Sequence, residues 1–384
     1  MMVLCGKYCK RNVRRIIFLI SLFLITLILL ISDSGCKQKS QSEAHKDFDF
    51  DLVGFKKQVE KCVTVSAGGD VNFGGGVTPY LSRYGLEYPF SAVQEALTNA
   101  DFTFVNLECC IASSGYPEPG KEFTFRGPPD SARALKIGGI DVVSLANNHA
   151  KDYGDKALSE TIEGLDAEGI SRCGAGMNSA EAYQPCYLES HGVRVAFVAF
   201  TWVVPAGWAA RNSTPGVATT YNTEMVARTI MEAKKSSNYV VASFHWGIEL
   251  ARSPGAAQRE LAHLAVDSGA DLVLGHHPHV VQGFELYKGR LISYSLGNFV
   301  FSPPREISSK TVILTALLSP DGLVQAKIFP ARISNCRPVV MKGAEAESWL
   351  MDLAGLSRPL GVDMETRAGE GFIGGRLKDD VSRK

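Results

Sequence analysis

Short apolar runs alternate with amphipathic stretches along most of the chain, and this alternation predicts strands and helices in turn. The β-branched runs that predict strands are Val63–Ala67, Phe102–Leu107, Asp141–Leu145, Val193–Thr201, Tyr239–Phe244 and Asp271–Leu274. Apolar residues three or four positions apart predict helices at Phe90–Ala100, Asp155–Glu168, Thr223–Lys235 and Ala256–Ser268. Strands that alternate with helices predict an α/β fold with covered sheet faces.

The pattern changes after Gly283, where strand-like runs follow one another without helices. The runs are Phe284–Tyr287, Leu291–Tyr294, Thr311–Leu318 and Leu323–Pro330, and the last two are joined by Pro-Asp-Gly. They predict β-hairpins that close one side of the fold, with Asp321-Gly322 as a turn. Beyond about Val339 the chain becomes polar and contains glycine, so residues 339–384 are predicted to be a peripheral extension.

The first 36 residues have the order of an export signal. Basic residues precede Ile16–Ile31, which carries no charge, and a polar run that contains Gly35-Cys36 follows. The apolar run spans ~24 Å, which is less than the ~30 Å hydrocarbon core of a bilayer. Gly35-Cys36 resembles the end of a bacterial lipoprotein signal, although Asp33 stands where that signal has an aliphatic residue. Lipidation of Cys36 and an uncleaved membrane anchor both remain open.

Both alternatives predict a membrane-attached protein whose body lies on the extracytoplasmic face of the cell membrane. Residues 37–60 are polar and show no clear period, so they are predicted to be a tether between the membrane and the body.

Composition limits the class of protein. The chain has 384 residues, of which 45% are hydrophobic and 21% are charged, and this excludes disordered, collagen-like and polytopic membrane proteins. The 40 basic residues balance the 40 acidic ones over the whole chain. Five of the basic residues and one acidic residue lie in the first 35 positions, so the body is mildly acidic. We therefore expect no nucleic-acid partner.

Six cysteines lie beyond the N-terminal region, namely Cys62, Cys109, Cys110, Cys173, Cys186 and Cys336. An even number in an exported protein is compatible with disulfides, whose connectivity the sequence does not reveal. Buried free thiols are the alternative, and we favour them for the adjacent Cys109 and Cys110 because these end a strand-like run.

Polar side chains able to bind a metal follow five of the predicted strands. These residues are Asp70 and Asn72, Glu108, Asn147 to His149, His245, and His276, His277 and His279. In an open α/β sheet the carboxyl ends of the strands gather around one crevice, so the five clusters are predicted to meet there. Each residue taken alone has an ordinary interpretation as a turn residue, a surface charge or a buried histidine, and the metal site is inferred from their joint placement.

The types of donor favour a divalent metal, one or two ions of Mn, Zn or Fe. The predicted ligands combine carboxylates, an amide oxygen and imidazoles, namely Asp70, Glu108, Asn148, His245, His277 and His279. Such a mixture suits these metals better than an all-oxygen calcium site does. His277 and His279 are two residues apart and face the same way in an extended or looping segment, whereas His276 is predicted to point elsewhere.

Seven motifs extend this pattern over residues 63 to about 303. In order they are GGDVNFGGG (68–76), FVNLECCI (104–111), FTFRGPP (123–129), SLANNHAKDYG (144–154), FHWGIE (244–249), GHHPHVVQG (275–283) and YSLGNFVFS (294–302). Together they resemble the CapA-type poly-γ-glutamate capsule synthesis family, a branch of the calcineurin-like metallophosphoesterases. The resemblance implies a four-layer α/β/β/α sandwich over residues 61–338, with the metal site on top of paired sheets.

The resemblance also implies roles for the predicted ligands. Asp70 and His279 would bind a first metal, and Glu108 would take the place of the bridging carboxylate. The second metal would be bound by Asn148, His245 and His277. His149 matches the histidine that protonates the leaving oxygen or steadies the phosphoryl group, and Asp70 and His149 are our candidate catalytic residues.

One position departs from the wider superfamily. Asn72 stands where broader metallophosphoesterases have a histidine, so the first metal loses a nitrogen ligand. Arg126 and Asn147 are predicted to bind substrate, since the guanidinium of Arg126 suits an anionic phosphate or carboxylate. A salt bridge between Arg126 and a neighbouring loop is the alternative.

Two functions remain open from the sequence. The first is a metal-dependent hydrolase or transferase that acts on an anionic surface polymer or its precursor. The second is a non-catalytic partner that binds such a polymer through a vestigial metal site, together with membrane proteins of a capsule synthesis complex. The resemblance places both in capsule polymer biosynthesis.

Overall fold

Two β-sheets form the centre of the fold in a computed structural model that describes residues 61–303 and 305–374. The strands are β1 (Val63–Val71), β2 (Phe102–Leu107), β3 (Cys110–Ile111), β4 (Arg126–Gly127), β5 (Val142–Ser144), β6 (Ser171–Cys173), β7 (Ala175–Gly176), β8 (Cys186–Ser190), β9 (Val193–Thr201), β10 (Gly216–Val217), β11 (Tyr239–His245), β12 (Leu272–His276), β13 (Phe284–Tyr287), β14 (Arg290–Ser293), β15 (Asn298–Val300), β16 (Lys310–Ser319), β17 (Gly322–Ser334), β18 (Arg337–Val340), β19 (Glu365–Arg367) and β20 (Glu370–Gly374). Every strand expected from the apolar runs is present.

Helices connect many of these strands. They are α1 (Thr78–Tyr84), α2 (Gln94–Thr98), α3 (Ser131–Ile137), α4 (Gly154–Ala167), α5 (Ser179–Ala182), α6 (Thr223–Lys235), α7 (Ala256–Asp267) and α8 (Gly343–Ser357). The four helices predicted from the spacing of apolar residues correspond to α2, α4, α6 and α7. The prediction for α2 was too long, because Phe90 and Val93 are buried in irregular turns before the helix begins.

The larger sheet has the order β19-β20-β17-β16-β1-β2-β5-β6. Strands β1, β2, β5 and β6 run parallel, whereas β16 and β17 form an antiparallel hairpin that pairs with the first half of β1. Strand β15 pairs in parallel with the end of β1, where Asp70 lies opposite Asn298. The parallel strands all end at the same edge of this sheet, as the sequence predicted.

The smaller sheet has the order β13-β14-β12-β11-β9-β8. Its central strands β9, β11, β12 and β14 are parallel, and antiparallel strands close both edges. The predicted C-terminal hairpins are therefore confirmed: β13 and β14 extend this sheet, and β16 and β17 extend the larger one.

The layers follow the order helix, sheet, sheet, helix. Apolar residues of both sheets meet between them, and the rings of Phe104 and Phe197 stack there with centroids 6.0 Å apart. Buried residues of α1 to α4 pack against the other face of the larger sheet, and those of α6 and α7 pack against the other face of the smaller one. This order agrees with the sandwich that the resemblance implied.

The segment after Val339 is an integral part of the fold as far as residue 374. Helix α8 buries Trp349, Leu350 and Leu353 in the core between the sheets, and β20 pairs with β17. The prediction of a peripheral extension was therefore wrong for this part. The segment is polar overall, but the buried apolar residues of its helix lie on one face, and the prediction did not consider that face separately.

The predicted export signal, the lipidation site at Cys36 and the tether all lie outside the described residues. Within residues 61–303 and 305–374, every helix is too short or too polar to cross a bilayer.

Five of the cysteines, Cys109, Cys110, Cys173, Cys186 and Cys336, have free thiols. Cys109 and Cys110 are buried, and burial raises the pKa of both. The interpretation of these two as buried free thiols is confirmed.

Candidate metal centre

The carboxyl ends of β1, β2 and β5 in the larger sheet meet those of β11 and β12 in the smaller sheet at one crevice. Asp70 lies near the end of β1, and Glu108 follows β2, where its amide donates to the carbonyl of Val71 at 2.8 Å. Asn148 lies in the loop after β5, and His245 is the last residue of β11. His277 and His279 come from the loop after β12, and all six predicted ligands lie at this crevice.

One half of the site consists of Asp70, Glu108 and His279, each of which offers a ligand atom within 4.8 Å of the others. His279 is the central member. Its Nδ1 lies 3.5 Å from Asp70 Oδ2, and its Nε2 lies 3.8 Å from Glu108 Oε1. This is the set that the resemblance assigns to the first metal.

The other half shares Glu108 and adds His245 and His277, again within 4.8 Å of one another. His245 Nε2 lies 3.7 Å from Glu108 Oε1 and 2.7 Å from the amide oxygen of Asn148. The rings of His245 and His277 have centroids 4.8 Å apart. Glu108 therefore faces both halves, which is the position of a bridging carboxylate.

The buried carboxylates have unpaired oxygens that suit a cation. Asp70 and Glu108 are fully buried, and Asp70 Oδ2 and both Glu108 oxygens lack a hydrogen-bond partner among the described residues. Burial, together with the nearby Asp70, raises the pKa of Glu108 well above its usual range. Unpaired buried carboxylates are costly. A divalent cation would compensate them, so the donor set fits one or two such ions.

The three histidines differ in charge. Burial lowers the pKa of His245 well below its usual range and that of His277 to about 3, so both are neutral and have a lone pair for a cation. Burial acts in the same direction on His279, but Glu108 and Asp70 outweigh it and raise its pKa to about 10. A proton on His279 thus supplies part of the positive charge that a metal ion would supply.

His276 also belongs to the site, contrary to the prediction that it points elsewhere. Strand β12 continues through His276, and the imidazole is fully buried with its Nδ1 3.3 Å from Asp70 Oδ1. Burial favours the neutral form of Asp70, but His276 and His279 outweigh it and hold its pKa well below the usual range. The prediction failed because it treated His276 as a loop residue.

The loop that holds the other two histidines has an unusual backbone. His277 has φ 94° and His279 has φ 58°, in the left-handed region that residues other than glycine rarely adopt. The amide of Leu250 donates to the carbonyl of Pro278 at 2.8 Å and fixes the loop from outside. Strain of this kind concentrates at functional sites, where the surrounding structure enforces it.

His149 stands beside the ligands as half of a histidine–aspartate pair. Its Nδ1 donates to Asp152 Oδ2 at 2.6 Å, and its Nε2 lies 3.9 Å from Glu108 Oε1. Lys121 forms an ion pair with Asp152 and donates to the carbonyl of Asn148. Burial lowers the pKa of His149 despite the opposing effect of Asp152, so the imidazole is neutral. The ring of Phe125 covers it at 4.4 Å between centroids.

The two residues predicted to bind substrate lie outside the pocket lining. Asn147 is fully buried and donates to Asn106 Oδ1 at 3.1 Å and to the carbonyl of Leu107 at 2.8 Å. Its own Oδ1 accepts from the amide of His149 at 3.0 Å, so Asn147 positions the loop that carries His149. The guanidinium of Arg126 lies 4.3 Å from the ring centroid of Tyr153 and faces the carbonyls of Ser114 and Gly115. Within the described residues it therefore neither lines the pocket nor forms the salt bridge of the alternative.

A pocket of about 340 Å³ opens onto the site. Asn72, His149, Glu249 and His279 contribute polar groups to its wall, and Phe301 is one of its apolar members. The amide oxygen of Asn72 accepts from the amide of Gly74 at 2.7 Å, so it holds a turn. A substrate that enters this pocket would therefore meet both polar groups and aromatic rings.

Several functional residues were not among the predicted ligands. Asn106 donates to Asp70 Oδ1 at 2.9 Å, and Asn298 Oδ1 lies 2.8 Å from His279 Nδ1. Asp152 follows His149 by three residues, a spacing that a search of the motif for an acidic partner would have found. No comparable spacing in the sequence identifies Lys121 or Glu249.

The family of the chain follows from comparison with known proteins. A family described as "Bacterial capsule synthesis protein PGA_cap" matches residues 64–303, which include every residue of the ligand set. The chain belongs to this family.

Two curated relatives are similar over most of their length. The capsule biosynthesis protein CapA of Bacillus anthracis is 30% identical over 345 residues, which cover 88% of this chain and 80% of the relative. The PGA biosynthesis protein CapA of Bacillus subtilis is 32% identical over 289 residues, which cover 75% of this chain and 76% of the relative.

The solved structures that match are more distant. The NAD nucleotidase of Haemophilus influenzae is 13% identical, with a TM-score of 0.40 over 77% of this chain and 56% of the other. A purple acid phosphatase from yellow lupin is 11% identical, with a TM-score of 0.34 over 73% of this chain and 53% of the other.

Proposed function

We propose that the protein is a metal-dependent hydrolase of the metallophosphoesterase type that acts on an anionic surface polymer, or on its precursor, during capsule biosynthesis. The observation that carries the proposal is the meeting of Asp70, Glu108, Asn148, His245, His277 and His279 around unpaired buried carboxylates. The names of the curated relatives support the process, since both are assigned to capsule or PGA biosynthesis.

A divalent ion bound there would lower the pKa of water and neutralise charge on a phosphoryl group. The residues of the chain supply the remaining functions. His149 is held through Nδ1 by Asp152, which leaves the Nε2 lone pair free to take up the proton that the attacking water loses and to pass it to the leaving oxygen. Phe125 and Phe301 line the pocket and reduce access of bulk water to the reacting groups.

The test is phosphoester hydrolysis by the purified protein. With Mn²⁺ or Zn²⁺ we expect turnover of bis(p-nitrophenyl) phosphate, and we expect His277→Ala to reduce it at least about 100-fold because a direct ligand is lost. His191→Ala is the matched control, since His191 is exposed and remote from the site. Metal-loaded protein that does not cleave phosphoesters would contradict the proposal.

A non-catalytic, polymer-binding role is the second candidate, and Asn72 favours it. The side chain at this position holds a turn and supplies no imidazole to the first metal. In that case the protein would bind poly-γ-glutamate without turnover, and chelation of metal would leave binding unchanged. Polymer binding that EDTA abolishes would contradict this role.

We also propose that the body is attached to the extracytoplasmic face of the cell membrane through the N-terminal segment and acts there beside membrane proteins of capsule synthesis. The order of basic, apolar and polar residues before position 37 supports this location. Membrane fractionation of cells that express the protein with Cys36→Ser would distinguish lipidation from an uncleaved anchor, since only lipidation requires Cys36.

A further inference from the structure

Glu249 is an acidic residue at the metal site that the proposed mechanism does not use. It lies in the turn after β11, at the pocket wall, and its side chain is exposed. Its carboxylate offers a ligand atom within 4.8 Å of those offered by His277 and His279. No hydrogen bond or ion pair engages this carboxylate within the described part of the chain, so it is available to a ligand.

Hydrogen bonds of neighbouring residues fix the turn that carries Glu249. Leu250, the next residue, donates its amide to the carbonyl of Pro278, which lies between the two histidines. The rest of the turn is braced by two buried glutamines: Gln282 donates to the carbonyl of Ala251 at 2.8 Å, and Gln258 donates to Gln282 at 3.1 Å. The backbone of Glu249 is thus tied to the histidine loop, which a freely moving surface acid would not be.

His277, one of the two histidines beside Glu249, has a buried nitrogen without a partner in the described part of the chain. His277 is 5% exposed, and its Nδ1 has no hydrogen-bond partner among the described residues. A buried imidazole nitrogen without a partner is costly. A cation shared with Glu249 and His279 would also balance the charge of the exposed carboxylate.

Glu108 and Glu249 differ in how they reach the histidines. Glu108 approaches from the buried side and faces both halves of the site, whereas Glu249 approaches from the pocket and reaches one histidine of each half. On the same pocket wall, the amide oxygen of Asn72 accepts from the amide of Gly74 and holds a turn. Asn72 and Glu249 line the same pocket as His279.

We propose that Glu249 is a further metal ligand, which binds a cation from the pocket side together with His277 and His279. This inference rests on the proposed metal centre and adds to it a residue from a different loop.

The test is metal binding, measured without reference to turnover. The full-length protein and its Glu249→Gln variant are depleted of metal, titrated with Mn²⁺ by calorimetry, and analysed for bound manganese per chain after dialysis. We expect the variant to lose one ion per chain, or to bind one ion at least about tenfold more weakly, since even outer residues around a metal contribute 10- to 100-fold. Glu260→Gln is the matched control, because Glu260 is an exposed glutamate away from the pocket.

Salt separates ligation from a remote charge effect. At 1 M KCl the Debye length falls to about 3 Å, so an effect of charge alone at an exposed position would disappear while loss of a ligand would persist. Equal affinity and stoichiometry in Glu249→Gln and the parent protein, or a difference that vanishes at 1 M KCl, would overturn the role of Glu249 alone. A parent protein that binds no Mn²⁺ would overturn the metal centre and this inference together.

Discussion

At the scale of single residues, the site combines buried charge with fixed geometry. Asp70 and Glu108 are fully buried, yet three of their four carboxylate oxygens lack hydrogen bonds among the described residues. The neighbouring His149 is by contrast fully engaged at Nδ1 by Asp152. The site therefore contains two kinds of residue. Asp70 and Glu108 have oxygens available to a cation, whereas His149 is oriented by its hydrogen bond to Asp152.

The Asp152→Asn variant tests the positioning of His149. An amide cannot stabilise the imidazole as a carboxylate does, so we expect turnover to fall about 10- to 100-fold while the manganese content stays unchanged. The readouts are phosphoesterase kinetics and elemental analysis on the same sample.

Asp155→Asn is the control for this variant. Asp155 lies three residues further along, is 54% exposed in its side chain and pairs with Lys151 at 2.7 Å. Full activity in Asp152→Asn would show that His149 needs no acidic partner.

At the scale of elements, one segment connects the two sheets beneath the site. The backbone from Tyr294 to Asn298 passes very close to Gly275 of the smaller sheet and to Gly69 of the larger sheet. A Cβ atom at Gly275 would lie 2.0 Å from the carbonyl oxygen of Tyr294, and one at Gly69 would lie 1.8 Å from that of Gly297. Only glycine permits such an approach of backbone to backbone. These two glycines thus set the spacing at which the ligand loops meet.

The Gly275→Ala variant should therefore be strongly destabilised. The added methyl group must displace a strand backbone, and overpacking of this kind costs about 1–3 kcal/mol or more. Urea unfolding followed by circular dichroism measures the change in the free energy of unfolding.

Gly355→Ala is the opposite case, because Gly355 lies in α8 with nothing within 4 Å of the added atom. We expect a gain of about 0.5–1 kcal/mol there, from the higher helix propensity of alanine. A Gly275→Ala protein as stable as its parent would contradict the role given to this close approach.

The elements were largely predictable because their cause is local. The bounds of Thr223–Lys235 and Val193–Thr201 agree with the apolar periodicity, and the ligands cluster after strands as parallel topology requires. The features that the sequence did not predict depend on contacts between residues that are far apart in the sequence. The burial of Trp349 depends on both sheets, and the approach of Glu249 to His277 depends on a turn held by glutamines 258 and 282.

At the scale of the whole molecule, the candidate metal centre lies between the two sheets at the end of the sandwich. Its ligands come from the larger sheet on one side and from the smaller sheet on the other, and the core between the sheets is apolar. An ion that binds only the assembled sheets stabilises the folded state by mass action.

Metal removal should lower the melting temperature. An ion present at 100 times its dissociation constant adds about 2.7 kcal/mol to the free energy of unfolding, and we expect chelation by EDTA to lower the Tm by several degrees. The measurement is scanning calorimetry with and without Mn²⁺.

The Glu108→Gln variant provides the control for metal removal. It should lose most of the stabilisation by metal and be no less stable than the parent protein when both lack metal, since it replaces a buried carboxyl group whose oxygens lack hydrogen bonds among the described residues. A Tm that does not respond to Mn²⁺ in the parent protein would contradict a site that spans the sheets.

The hairpin of β16 and β17 determines which fragments of the chain keep the larger sheet intact. Strand β1 lies in the interior of the larger sheet, with β2 on one side and β16 on the other. A fragment that stops at residue 303, where the family match ends, would leave β1 as an open edge with unpaired amides and carbonyls along Val63–Ala67. The stretch of chain that defines the family is thus shorter than the stretch that folds, and fragments intended for expression or crystallisation must extend through β20.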